Sequence, residues 1–221
     1  LEFRRVLFRS TMSEIILTPE LRALGKSGVQ VSPIAWGMWR FANATVAEAR
    51  ARIEAALAAG VTLFDTADIY GFDGADGFGD AELLLGQVLA EAPGLAAQMV
   101  LATKGGIRPP FPYDQSAAYL GQALDASLTR LGVDQVDLYQ IHRPDILAHP
   151  QEVARTLEDM VRAGKVRAVG VSNFTLAQTR ALESFLTIPL ASLQPELSPL
   201  ELGPIENGLL DLAMERDIAV L

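Results

Sequence analysis

The chain has 221 residues, 50% hydrophobic and 20% charged, with a formal net charge of −9, no cysteine and two histidines. That length and balance suit one sizeable core, and an acidic chain without a lysine or arginine track speaks against a nucleic-acid partner. The missing cysteines exclude disulfides, a thiolate nucleophile and a cysteine zinc site, and no apolar run approaches the ~18 residues of a membrane span, a profile that fits a cytoplasmic protein.

The opening LEFRRVLFRS carries Arg4, Arg5 and Arg9 around a short apolar remainder. It is too short for a secretion signal and lacks a small-residue cleavage site. It reads as translated sequencing adapter, so residues 1–11 are set aside and one domain is expected over 12–221. A polar hairpin is predicted around Leu24 to Val31, because GKSG is good turn material.

A repeating pattern follows. Strands are predicted at Pro33 to Trp39, Thr62 to Asp68, Val100 to Lys104, Val136 to His142, Ala168 to Asn173, Leu190 to Pro195 and Ile218 to Leu221. Helical periods lie between most of them. Thr45 and Glu48 have capping-box spacing, with Val46, Ala49, Ile53 and Leu57 on one face and Gly60 at the stop. Asp80 is predicted to cap a helix with Leu83, Leu84 and Val88 inward. Ser116 caps another, with Leu120, Leu124, Leu128 and Leu131 on its core face. Pro150 suits a first turn ahead of Val153, Leu157 and Val161, with Gly164 at the end. Thr175 caps a segment carrying Leu182 and Phe185.

Strands alternating with helices imply a parallel sheet. An open dinucleotide-binding sheet needs a glycine fingerprint after its first strand, and WRFANAT has none. Seven strands and an end at Ile218 to Leu221 suit an eight-stranded β/α barrel, incomplete and ending in its seventh strand. The chain therefore reads as a piece of a longer protein.

Active sites of such barrels lie at the C-terminal strand ends. Here these ends carry Asp65, Asp68 and Tyr70; Thr103 and Lys104; Gln140, His142 and Arg143; Ser172 and Asn173; then Gln194 and Glu196. One polar strand end is ordinary loop chemistry. Five consecutive ones delivering Asp, Tyr, Lys and His form a coherent set. A phenol is a weak acid, a buried ammonium beside it stabilises the phenolate, and that ammonium needs a carboxylate. An imidazole nearby can donate to a carbonyl oxygen as negative charge develops there.

At these residues the chain resembles the aldo-keto reductase superfamily. The matching stretches are FDTADIYG, GDAELLLG with Glu82 between Gly79 and Gly86, LATKGG, DLYQIHRPD, GKVRAVGVSNF and SLQPELSPL, in the family's order over nearly the whole chain. The IHRPD form is closer to the bacterial, general oxidoreductase branch than to the steroid-reducing one. The resemblance implies hydride transfer from NADPH to an aldehyde or ketone, with a small-molecule carbonyl substrate. Tyr70 would be the general acid, Lys104 the cation that eases its proton loss, Asp65 the partner of Lys104, and His142 the donor that orients the carbonyl. Ser172, Asn173 and Gln194 would hold the nicotinamide carboxamide. Gly37 and Met38 match a turn touching the cofactor ribose, and Trp39 an aromatic lining the substrate pocket. Family members continue beyond the counterpart of residue 221 with an aromatic that stacks on the nicotinamide, a pyrophosphate-covering loop and an eighth strand with a basic segment. These 221 residues are therefore expected to be inactive alone.

Two other readings stay open on the same scaffold. One is a non-catalytic regulatory subunit that binds the cofactor, against which His142 argues. The other is a Schiff-base aldolase using Lys104, which leaves GVSNF and the spacing of Tyr70 unexplained. Asp73, Asp76 and Asp80 fail the spacing of a calcium loop and read as a flexible substrate-side loop. Asp68 is expected to face away or cap that loop, and Trp36 to be core. Glu196 could meet the cofactor ribose. Nothing in the sequence sets the substrate or an oligomeric state.

Overall fold

The computed structural model describes residues 20–110 and 112–221. The adapter-like stretch 1–11 lies outside them. A short antiparallel pair, β1 (Arg22–Ala23) and β2 (Gln30–Val31), comes first, joined by a 3-10 turn at Gly25–Ser27. Gly25 has φ +52°, and a Cβ there would lie 2.8 Å from the backbone oxygens of both Ala191 and Asp217. Only glycine lets the hairpin sit that close to the main sheet.

That sheet has seven parallel strands in sequence order: β3 (Ala35–Gly37), β4 (Leu63–Asp65), β5 (Val100–Gly105), β6 (Val136–Ile141), β7 (Val166–Ser172), β8 (Leu190–Gln194) and β9 (Ala219–Val220). β3 and β9 are not paired with each other, so the barrel is open. A cleft of about 350 Å³ lies between these edges, lined by Gly37, Leu63, Asp65, Gln194 and Val220 among others. The expected strands all form; five are shorter than expected, while β5 runs on to Gly105 and β7 starts two residues earlier, at Val166.

The helices are α1 (Val46–Ala58), α2 (Asp80–Glu91), α3 (Ala117–Leu131), α4 (Pro150–Arg162), α5 (Leu176–Glu183), α6 (Gly203–Glu206) and α7 (Leu209–Arg216). Their starts follow side-chain chemistry. Thr45 and Glu48 form the reciprocal capping box, and Thr175 forms a second with Gln178. The Ser116 hydroxyl accepts from the Tyr119 amide at 3.3 Å. Pro150 opens α4, where its missing N–H costs nothing. Among the described residues no helix is long and apolar enough to cross a membrane.

Three expectations fail locally. Gly79, at φ +90°, is the N-cap of α2, and Asp80 is its first helical residue. Leu83 points outward at 46% exposure, because α2 turns Ala81, Leu84, Leu85, Val88 and Leu89 inward. Phe185 lies beyond the end of α5, half exposed against the His149 ring.

Two cores result. One fills the space between helices and sheet, with Ile53, Leu85, Leu124, Leu131 and Leu157 fully or almost fully buried; Trp36 packs against it, edge-on to Phe41. The other lies inside the curved sheet: Leu63, Ala102, Leu138 and Ala168 from four neighbouring strands meet Leu24, Val29 and Val31 of the hairpin. Burying a leucine or valine side chain contributes about 1.5–3 kcal/mol, so this plug fixes the hairpin under the barrel. Side chains alternate along a strand. Two residues further on from this apolar layer stand Asp65, Lys104, Gln140 and Gly170, which is how a packed floor comes to support a polar mouth.

Candidate active site

Lys104 is the centre of that mouth and is 1% exposed. An ammonium has three donors, and here each has a partner. Nζ donates to Asp65 Oδ2 at 2.7 Å, to the Thr66 carbonyl at 3.0 Å and to Tyr70 Oη at 3.1 Å. The Asp65 side chain is itself nearly buried, at 6% exposure, so the ion pair is desolvated on both sides. Tyr70 is half-buried, and its oxygen accepts from Lys104, which leaves its own O–H free to point into the mouth. The chain reaches this geometry through the loop after β4: Asp68 N donates to the Lys104 carbonyl at 3.0 Å and Tyr70 N to the Ala67 carbonyl at 3.1 Å.

His142 follows β6, with its amide bound to the Gly105 carbonyl at 2.9 Å. Its ring stands edge-on to Tyr70, centroids 5.7 Å apart. Burial, aided by the Lys104 and Arg143 charges, pushes its pKa down to about 3. The imidazole is therefore neutral near pH 7, and its buried Nδ1 has no hydrogen-bond partner among the described residues.

Beyond them, Ser172 Oγ donates to the Gln194 carbonyl at 3.0 Å. Asn173 Nδ2 donates to Ser172 Oγ at 2.9 Å and to the His142 carbonyl at 3.0 Å. Asn173 has φ +61°, a left-handed conformation that asparagine tolerates better than most residues. Gln194 Nε2 donates to Asp65 Oδ2 at 2.9 Å. The amide hydrogens of Asn173 are thus spent, leaving Oδ1 as an acceptor, while Gln194 keeps one N–H. An acceptor beside a donor suits a primary carboxamide, so the set fits a nicotinamide ring.

Seven expected residues are thereby linked: Asp65, Tyr70, Lys104, His142, Ser172, Asn173 and Gln194. The strand-one residues stand differently. Gly37 pairs with Asp65 in register and lines the β3/β9 cleft. The Met38 amide donates to the Asp65 carbonyl at 2.9 Å, but its side chain is fully buried in the outer core. Trp39 is 62% exposed, with the Arg40 guanidinium stacked 4.9 Å from its ring centre.

Asp68 faces away from the mouth, as expected, but does not cap the loop: it is completely buried on the helix side of the sheet near Glu82, Arg130 and Tyr139, and neither carboxylate oxygen has a hydrogen-bond partner among the described residues. Burial, then the nearby Glu82 charge, pushes its carboxyl well above the usual carboxylate range. Glu82 is also fully buried, but paired: it meets Arg130 Nη2 at 2.6 Å and accepts from the Thr103 hydroxyl at 2.5 Å. This clamp ties α2 to α3 and β5 and accounts for GDAELLLG. A Cβ on Gly79 would lie 2.5 Å from Arg130 Nε, and one on Gly86 2.0 Å from the Arg130 carbonyl oxygen. Asp73 closes its own turn, accepting from the amides of Ala75 and Asp76, and Glu196 is exposed.

Gln140 and Ser192 are the members of the site to which sequence reasoning assigned no role. The period-2 rule could have found them, since Gln140 lies two residues before His142 and Ser192 two before Gln194.

Comparison with known proteins gives the family and the fold. The model of the aldo/keto reductase family matches residues 33–221. The chain is 63% identical over 205 residues to 6-dehydroglucose reductase of Novosphingobium aromaticivorans, covering 92% of this chain and 67% of that protein. It is 38% identical over 203 residues to 6-dehydroglucose reductase of Agrobacterium fabrum, covering 86% and 66% respectively. The solved aldo-keto reductase AKR11C1 of Bacillus halodurans superposes with a TM-score of 0.78 at 27% identity, over 91% of this chain and 64% of that one. The chain belongs to the aldo/keto reductase family. It spans about two thirds of the length of these relatives.

Proposed function

We propose that the complete gene product is an NADPH-dependent carbonyl reductase and that the cluster around Lys104 is its proton-delivery site. The observation that carries this reading is the full commitment of the Lys104 ammonium to Asp65, Thr66 and Tyr70. That commitment holds a positive charge 3.1 Å from the one phenol that opens into the mouth. A reduced nicotinamide, when bound, supplies the hydride. Ser172, Asn173 and Gln194 hold its carboxamide. Tyr70 gives its proton to the oxygen that becomes the hydroxyl, and the phenolate left behind faces Lys104 Nζ. Asp65 keeps that ammonium in place. His142, neutral, contributes a ring N–H to the substrate oxygen and not a positive charge.

The substrate reading follows from the relatives. Two of them are named 6-dehydroglucose reductases, one at 63% identity, so the proposed substrate is the carbonyl group of an oxidised sugar. The competing aldolase reading needs Lys104 as an accessible amine. A 1% exposed ammonium with three hydrogen bonds does not suit it.

The test is Tyr70→Phe in the complete gene product, following loss of NADPH absorbance with 6-dehydroglucose. Removing the proton donor should lower kcat by roughly 100-fold or more while NADPH affinity stays within a few-fold. Near-normal turnover would sink the assignment.

A further inference from the structure

Lys104, Gln140, Gly170 and Ser192 form one register row across β5, β6, β7 and β8. Three of the four carry polar side chains, and all lie inside the curved sheet. Gly170 makes the row possible. A Cβ there would lie 2.0 Å from Ser192 Oγ and 3.3 Å from Gln140 Cγ. With glycine, the Ser192 hydroxyl donates to Gln140 Oε1 at 3.1 Å. The Gln140 amide nitrogen points the other way. Gln140 Nε2 then donates to Gln194 Oε1 at 3.2 Å and lies 3.5 Å from Asp65 Oδ1. Gln140 and Ser192 are both 0% exposed, so no water competes for these bonds.

We infer that Gln140, held by Ser192 across Gly170, is a positioning residue that together with Asp65 fixes the polarity of the Gln194 amide. The chain of bonds has one direction, and Asp65 sets it: an ionised carboxylate only accepts, so both glutamines turn their nitrogens towards it. The Ser192 hydroxyl then donates to the Gln140 oxygen, and the Gln140 nitrogen also meets the Gln194 oxygen. Gln194 therefore turns its nitrogen towards Asp65 and the mouth. Its one uncommitted polar hydrogen is a donor, matched to a carbonyl oxygen. Without Gln140 the Gln194 oxygen loses its donor, and the bond to Asp65 alone holds the amide in this sense, so the donor presented to a carboxamide oxygen is less firmly aimed. The device thus sets which end of a carboxamide is read by Gln194 and leaves the amide end to Asn173 Oδ1. This inference rests on the nicotinamide reading of the site.

The experiment is a binding cycle on the complete gene product, with NADPH titrated by fluorescence. Gln140→Leu should weaken binding by about tenfold, the order of one lost hydrogen bond in a dry site. Ser192→Ala, which removes only the outer restraint, should weaken it by roughly threefold and serves if the leucine variant does not fold. Gln194→Leu should weaken it at least as much as Gln140→Leu. The decisive measurement is the double variant: if Gln140 acts through Gln194, adding Gln140→Leu to Gln194→Leu changes nothing further. A merely structural role would give independent, multiplying losses and would overturn the inference, as would single variants with wild-type affinity. A wild-type protein that binds no nicotinamide nucleotide would overturn the proposed function and this inference with it. Binding that survives with no coupling between Gln140 and Gln194 would overturn only the latter.

Discussion

Replacing Lys104 by methionine keeps most of the side-chain volume and removes the charge. The Asp65 side chain is 6% exposed and would lose its only cation within 4 Å among the described residues. Breaking a buried pair by deleting one partner costs about 3–5 kcal/mol, because the remaining charge stays desolvated. The carboxylate is not abandoned altogether: Gln194 Nε2 still donates at 2.9 Å and Gln140 Nε2 lies at 3.5 Å. The lower end of the range, about 3 kcal/mol, is therefore expected. In a chain of this size that corresponds to a melting-temperature loss of roughly 6–12 °C. The assay is urea unfolding followed by fluorescence of Trp36 and Trp39, comparing midpoints at constant slope. Neutralising the orphaned partner should help, so the Asp65→Asn/Lys104→Met double variant should be more stable than Lys104→Met alone. Wild-type unfolding of the single variant, or losses that simply add in the double, would refute a buried, coupled pair. Carbonyl reduction should fall with either single substitution.

Two pH effects of opposite sign follow, one from His142 at the mouth and one from Asp68 behind the sheet. His142 has its pKa lowered to about 3, so its contribution to stability is full above roughly pH 6.5 and is lost as pH falls towards 3, at about 1.4 kcal/mol per pH unit. His142→Gln should flatten that acid limb in equilibrium unfolding curves; an unchanged limb would show that the ring is protonated in the folded protein. The Asp68 carboxyl is raised by burial, so its contribution is full below roughly pH 4 and is lost as pH rises towards its folded value, again by about 1.4 kcal/mol per unit. Asp68→Asn should therefore stabilise the protein increasingly towards alkaline pH, and a destabilised variant at pH 8 would contradict a neutral, unpaired Asp68.

Much of the fold was legible because its signals are local. Thr45 and Glu48, Ser116, Pro150 and Thr175 mark helix starts by chemistry confined to one turn. The strands announce themselves as apolar runs of fitting length. The failures are equally physical. Leu83, Leu84 and Leu85 are consecutive, and a helix turns about 100° per residue, so hydrophobicity alone cannot say which leucine faces out. Asp80 has the right chemistry for a cap, but the cap is Gly79, whose lack of a side chain makes room for Arg130 48 residues after Glu82. No local pattern carries that information.

The candidate site divides along the same line. Asp65, Tyr70 and Lys104 stand out because a carboxylate, a phenol and an ammonium at buried strand ends demand one another. Gln140 and Asp68 do not, because the meaning of a buried polar group lies in its partners. Gln140 finds them 52, 54 and 75 residues away, on β8 and β4. Asp68 finds no hydrogen-bond partner for its oxygens among the described residues and is held instead as a group that resists ionisation. The polar layer is built as a whole: three acceptors exhaust Lys104, three side chains direct their donors at Asp65, and that carboxylate, which only accepts, sets the direction of two glutamines. Remove any member and a desolvated donor or acceptor is left without its mate, at about 1–3 kcal/mol for a neutral group and more for a charge. Such a layer stands on the Leu63, Ala102, Leu138 and Ala168 floor because that floor excludes water from below. The same exclusion that makes each lost bond expensive makes the surviving geometry stiff enough to aim a proton.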